Sequence, residues 1–247
     1  MKRSIWIGFD SRHAAAAAVC RHSITRRLTQ PISVRGVVLD HLQQAGVYTR
    51  PVERRPAEPG AAHDQLYDPI SEAPMSTEFA ISRFLTPWLA GTGIALFADC
   101  DIVSRINLVK LFDQFDPRYA VMCVKHQHEP TQEMKMDGQP QTVYPRKNWS
   151  SVMMFNCDHP ANNALTVKLI NQVPGRDLHR FCWLDDDLIG ELHPRYNYLV
   201  GHTKLYEPAS NESPALIHWT DGYPLLRGYE NAEYADVFFD ELNAWAR

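Results

Sequence analysis

Ile94-Ala95-Leu96-Phe97-Ala98-Asp99-Cys100-Asp101-Ile102-Val103 is the stretch on which the fold assignment turns. Five apolar or small residues run into two carboxylates one position apart, and apolar character resumes at once. Bounded upstream by Gly91 and Gly93, the run predicts a buried strand. With the backbone extended at the strand's carboxyl end, residues i and i+2 point the same way. Asp99 and Asp101 then face one space while Cys100 turns toward the core. Two carboxylates that close repel each other, and a dry strand end makes the repulsion costly. A divalent cation resolves the conflict, and hard oxygen ligands suit Mg²⁺ or Mn²⁺. Taken alone, the tripeptide reads equally as a solvated turn.

Working back toward the N-terminus, Ser4 to Phe9 predicts a first strand, closed by Asp10-Ser11. His13 to Leu28 is alanine-rich and helical, with Asp10 or Ser11 as N-cap. A strand running straight into a helix opens an α/β unit. Asp10 either caps that helix or stands at the strand end where open sheets place ligands. Val34 to Leu39 is a second strand, with a short helical turn at Asp40 to Ala45. Residues 48–75 are rich in proline and charge and read as a long, functional or mobile loop. Ser76 caps a helix in which Glu78 favours the first turn. Phe79, Ile81, Phe84, Leu85 and Trp88 form its apolar face. Arg83 stands among them, and composition favours a structural role, snorkelling to water or pairing with a carboxylate, over a phosphate contact.

Beyond the acidic pair, Leu108 to Phe112 reads as a short helix and Tyr119 to Val124 as a buried strand. Residues 125–147 form a second irregular stretch, in which His126-Gln127-His128-Glu129 reads as solvated loop ahead of metal site. Ser151 leads into a strand reaching Asn156, and Asn162 to Gln172 is an amphipathic helix. Asp185-Asp186-Asp187 precedes an apolar helical turn, which three acids would cap. Ala215 to Trp219 is a strand carrying His218 near its end, followed by Thr220-Asp221-Gly222. Ala232 to Ala246 is a packing helix. The expected organisation is one α/β domain over 1–247, a mostly parallel sheet flanked by helices, with acceptor-side loops at 48–75 and 125–147.

The 247 residues are 45% hydrophobic and 22% charged, ordinary for a globular protein. A net charge of −4 gives no bulk attraction to nucleic acid. No window approaches the length of a membrane span, and Met1 to Trp6 lacks the apolar stretch of a signal peptide. The five cysteines suit reduced, mostly buried thiols. The expectation is cytoplasmic, with room for peripheral contact at the inner face of a membrane.

The order of these landmarks resembles glycosyltransferase family 8 and its bacterial relatives, enzymes of the GT-A fold. The resemblance rests on Phe9-Asp10-Ser11-Arg12 after strand one, Ser82-Arg83-Phe84-Leu85-Thr86-Pro87 and the Asp-x-Asp. It continues through Ser150-Ser151-Val152-Met153-Met154-Phe155-Asn156, Asp185-Asp186-Asp187 and His218-Trp219-Thr220-Asp221-Gly222. Ser-Ser-Val stands where the family has Asn-Ser-Gly, Asp186 where it has Gln, and Tyr223-Pro224-Leu225-Leu226 where Lys-Pro-Trp is usual. The resemblance implies that Asp99, Asp101 and His218 bind Mn²⁺, with Mg²⁺ as the alternative, together with the diphosphate of a UDP-sugar. It places Phe9, Asp10 and Ser11 at the uridine end, and Ser151 and Gly222 on the donor. Arg83 would contact donor sugar or diphosphate, and Asp186 or Asp185 would stabilise charge at the anomeric carbon.

The implied reaction is hexose transfer to a glycan or other hydroxyl acceptor, with retention and by family habit in surface-glycan synthesis. The acidic cluster would also serve an inverting enzyme as base, so stereochemistry stays open. A sugar-phosphate nucleotidyltransferase competes, but it carries a Gly-rich loop after strand one and Phe9 to His13 has none. A non-catalytic GT-A-like binding module also competes, and the presence of all three ligands argues against it.

Overall fold

The computed structural model describes residues 1–57, 63–126, 146, 148–203 and 213–247. The described strands are β1 (Arg3–Phe9), β2 (Ser33–Val38), β3 (Glu53–Arg55), β4 (Gln65–Asp68), β5 (Ala73–Met75) and β6 (Ile94–Ala98). They continue with β7 (Ile102–Ser104), β8 (Val121–Cys123), β9 (Val152–Asn156), β10 (Ile189–Glu191), β11 (Tyr198–Leu199) and β12 (Leu216–His218). Six strands form a central sheet in the order β10-β8-β9-β6-β1-β2, parallel except for β9. This is the mostly parallel α/β sheet expected. Strands β6 and β9 are buried at every position, as strands covered on both faces must be.

The register brings the site together. Ile7 of β1 pairs with Ala98 of β6, and Ala98 pairs with Val152 of β9. The carboxyl ends of β1 and β6 therefore share one sheet edge with the amino end of β9. A second sheet, β11-β12-β7, grows from that edge, with β12 antiparallel to β7 and His218 opposite Ile102. Its apolar side joins Val103, Ile217, Trp219 and Tyr223 to Ala16, Val19 and Phe238 of the helices Ala14–Thr25 and Ala235–Trp245. Gly8 is required by packing, since a Cβ there would lie 2.4 Å from the Phe79 ring.

Four expectations are corrected. Residues 48–75 are not simply a loop: β3, β4 and β5 form an antiparallel sheet. Arg50 and Asp68, both buried, bind this lobe to the body. Arg50 donates through Nε to Asp68 and through Nη1 to the carbonyls of Ile170 and Val173. The helix expected from Ser76 begins as turns, becomes a 3₁₀ segment at Ser82–Leu85 and is α-helical only over Thr86–Ala90. Pro87 lacks the amide an uninterrupted helix needs, and the Glu78 carboxylate accepts from Ser11 N and Oγ instead. The helix expected over 162–172 is divided into Pro160–Ala164 and Val167–Gln172, the second capped by Thr166. After Asp185 there is one 3₁₀ turn, Asp186–Leu188, and then β10. Ile189 and Gly190 pair with β8 because the sheet leaves that position open.

Candidate active site

Strand β6 ends at Ala98, and Asp99-Cys100-Asp101 forms a turn into β7 instead of continuing the strand. The outcome for the side chains matches the sequence expectation. Cys100 is buried, while Asp99 and Asp101 line a cleft with Ser76, Thr77, Arg83, Asn148, Ser150, Ser151, His179, His218 and Thr220. The β7–β12 register delivers His218 to the same place, and the Trp219 amide donates to the Asp101 carbonyl at 3.2 Å.

His218 is buried, with Nε2 at 3.2 Å from Asp101 Oδ1. One ligand atom from each of Asp99, Asp101 and His218 lies within 4.8 Å of the others. Bonds of about 2.1 Å to one small divalent cation place neighbouring ligands about 3 Å apart. Two carboxylate oxygens and one imidazole nitrogen form a hard-to-borderline donor set that fits Mn²⁺ or Mg²⁺. The residues present therefore fit the metal that the sequence implied.

Arg83 combines the two roles left open by the sequence. Its Nη1 lies 2.8 Å from Asp99 Oδ1 and donates to the Ser150 carbonyl at 3.0 Å. Its guanidinium is packed near the rings of Phe79 and Phe97. It is thus a buried ion-pair partner that also lines the cleft.

Other predicted residues hold the frame. Asp10 is fully buried; it accepts from the Arg12 amide and guanidinium and from the Glu78 amide. Burial alone would raise its pKa, but Arg12 and the two amides outweigh that and hold it below the usual carboxylate range. The structure thus places Asp10 in its capping role, closing the turn Ser11–His13. Ser11 is held by Glu78, and Phe9 ends β1 beside them. Ser151 lines the cleft and ties its parts together: its carbonyl accepts from the Asp99 amide at 2.9 Å, and its Oγ donates to the Asn148 carbonyl at 2.7 Å. At Gly222 a Cβ would lie 2.5 Å from the Tyr229 ring, which accounts for the glycine by packing.

The acidic cluster lies at the surface. Asp185, Asp186 and Asp187 are exposed, none lines the cleft, and Asp186 is paired with Arg146. The stretch 125–147, apart from Lys125, His126 and Arg146, lies outside the described residues, as do His128 and Glu129. The described cysteines are all free thiols, as expected.

His179, which lines the cleft, and Asn197, behind it, are not singled out by the sequence reading. Asn197 is fully buried behind His218. His179 ends the short helix Gly175–His179, packs edge-on against Phe84 and has Nδ1 at 2.7 Å from Ser150 Oγ. Burial, and after it the Arg83 charge, drive the His179 pKa down to about 3. The folded protein therefore keeps this ring neutral while the unfolded chain takes a proton below about pH 6.5. The unfolded state binds more protons over that interval, so stability falls as pH drops. His13, shifted the same way chiefly by burial, adds in the same sense. With one edge of His179 meeting cleft water, a loss of about 1–2 kcal/mol between pH 7 and pH 5 is expected. Denaturant melts at the two pH values measure it, and His179→Gln should remove most of the difference.

No protein-family model matches the chain. It is 38% identical over 242 residues to Protein CDI of Arabidopsis thaliana, a match covering 98% of this chain and 86% of that protein. Among solved structures it is similar to the glycosyltransferase GlyE of Streptococcus pneumoniae, with a TM-score of 0.57 and 13% identity. That likeness takes in all of this chain but 63% of GlyE. It is also similar to the bifunctional WbbM glycosyltransferase, with a TM-score of 0.61, 14% identity, and coverage of 98% and 49% of the two chains. A third likeness is to the galactosyltransferase LgtC in complex with donor and acceptor sugar analogues. There the TM-score is 0.53, the identity 15%, and the coverage 98% and 95%. At these identities the solved structures establish the fold alone. On the sequence match the chain belongs to the family of the Arabidopsis Protein CDI, and its mixed α/β architecture is the GT-A fold.

Proposed function

We propose that this protein is a metal-dependent glycosyltransferase that moves a hexose from a UDP-sugar to a hydroxyl acceptor with retention, as family 8 enzymes do. The observation that carries the proposal is the convergence of Asp99, Asp101 and His218 beside Arg83 at the ligand-bearing edge of a GT-A sheet. These three residues would hold Mn²⁺, or Mg²⁺, which when bound supplies Lewis-acid neutralisation of the leaving diphosphate. Without a cation, two carboxylates facing one guanidinium would repel a diphosphate, so the residues require the charge they are built to hold.

Arg83, held by Asp99 and the Ser150 carbonyl, contributes a fixed positive charge that needs no reorganisation as negative charge develops on the donor. His179 stays neutral and offers a polar wall to sugar hydroxyls without competing for the diphosphate. Among the described residues lining the cleft, the only carboxylates are Asp99 and Asp101. With both assigned to the metal, the acceptor's proton passes to an oxygen of the donor diphosphate, which is the geometry of retention. The acceptor is a glycan or another hydroxyl compound; a plant relative means that it need not belong to a bacterial surface.

UDP-hexoses incubated with the protein should release UDP slowly when Mn²⁺ is present and not when it is chelated. Pyrophosphate released from UTP plus a hexose 1-phosphate, with no UDP from any UDP-hexose, would instead identify a nucleotidyltransferase.

A further inference from the structure

His218 is approached from behind by a chain of hydrogen bonds whose direction is fixed at its far end. The Asn148 carbonyl can only accept, so Ser151 Oγ donates to it, at 2.7 Å. Having spent its one proton there, Ser151 Oγ accepts from Asn197 Nδ2 at 2.8 Å. The Asn197 amide is thereby oriented, with Oδ1 turned to His218 Nδ1 at 2.9 Å. An amide oxygen accepts, so Nδ1 must carry the proton. Reversing the amide would set Asn197 Oδ1 against a hydroxyl with no proton left to give.

The fold holds this arrangement in place. Asn197 closes the 3₁₀ turn Pro194–Asn197 directly before β11, and Leu199 of β11 pairs in parallel with His218 of β12. Asn197 is fully buried.

We propose that Asn197 is the positioning residue of the metal site. Through the relay from Asn148 and Ser151 it keeps a proton on His218 Nδ1 and turns Nε2 toward Asp99 and Asp101. A histidine ligand is oriented in this way by the partner of its other ring nitrogen, and loss of such a partner weakens metal binding about 10–100-fold. The inference rests on the metal-site reading given above, but its first test requires neither metal nor turnover.

Long-range ¹H–¹⁵N correlation spectra of the metal-free protein at about pH 9 show directly whether His218 Nδ1 carries a proton. The wild type should show the Nδ1–H form and Asn197→Leu a shift toward Nε2–H. Mn²⁺ alone, titrated by electron paramagnetic resonance, should bind Asn197→Leu about 10–100-fold more weakly than the wild type. Asn197→Asp, which keeps an acceptor once the Ser151 hydroxyl rotates, should recover most of the affinity. Ser151→Ala removes the nearer of the two acceptors that orient the amide, leaving the Asn148 carbonyl at 3.4 Å, and should weaken the preference for Nδ1–H without abolishing it. An unprotonated Nδ1 in the wild type overturns the proposal, as does wild-type Mn²⁺ affinity in folded Asn197→Leu. If no UDP-sugar is ever turned over, yet the tautomer and the Asn197-dependent Mn²⁺ affinity are found, the transferase reading fails and this one stands.

Discussion

Asp101→Asn is expected to lower UDP release from a UDP-hexose by about 10³-fold or more while leaving the melting temperature within a few degrees of wild type. The amide keeps the shape of the carboxylate and removes the charge. Asp101 sits in a turn whose backbone is held independently of its side chain, by the Trp219 amide on the Asp101 carbonyl. Its side chain is partly exposed in the cleft and faces His218 Nε2. The substitution therefore removes a metal ligand without opening the core. Asp99→Asn should behave differently, because Asp99 also balances buried Arg83 at 2.8 Å. Breaking a buried pair leaves an uncompensated charge, so that variant should lose stability along with activity. UDP release and thermal melts on the two variants separate these outcomes. Equal activity in Asp101→Asn and wild type would remove Asp101 from the mechanism.

Arg50→Ala is expected to cost about 3–5 kcal/mol of stability, the usual result of leaving one member of a buried ion pair behind. Arg50 and Asp68 are both almost without solvent exposure. The guanidinium joins four groups that are distant in sequence: Asp68, Ser71, and the carbonyls of Ile170 and Val173. Arg50→Lys should recover less than half of the loss, since an ammonium cannot reproduce the planar fork. Denaturant midpoints of the three proteins measure the effect. A loss below about 1 kcal/mol in Arg50→Ala would mean that the β3–β5 lobe does not depend on this pair.

What the sequence shows and what it hides divide along the range of the interactions. Ile94 to Ala98 and the alanine-rich stretch at 14–25 are legible because burial and helix propensity act locally. The Asp99 and Asp101 pair is legible through residue chemistry, and His218 only through the family resemblance, because the segment that delivers it is a three-residue strand paired with β7 more than a hundred positions away. Nothing local foretells that pairing. The sheet inside 48–75 is hidden for the same reason, since Arg50 reaches across to the segment 170–173 to hold it in place. The helix expected from Ser76 fails because Glu78 is drawn to Ser11, a partner the linear sequence does not reveal. Asn197 and His179 belong to no motif. Asn197 acts as an amide oriented by a serine and a carbonyl from another segment, and only the folded chain brings these groups together.

The Asp185-Asp186-Asp187 cluster is legible in the sequence through its composition. Its composition is as suggestive as that of the Asp-x-Asp, yet its members are exposed and Asp186 is engaged by Arg146. Three adjacent acids satisfy both a helix-capping and a catalytic reading; the structure shows an exposed 3₁₀ turn at Asp186–Leu188 with no side-chain cap from Asp185.

Crystals grown with UDP and Mn²⁺, measured at a wavelength where manganese scatters anomalously, address the central claim most directly. The account predicts one strong anomalous peak within ligand distance of an Asp99 oxygen, an Asp101 oxygen and His218 Nε2, with the diphosphate on its open side. A fully occupied UDP site with no manganese between these three residues, or manganese held elsewhere in the chain, would contradict it.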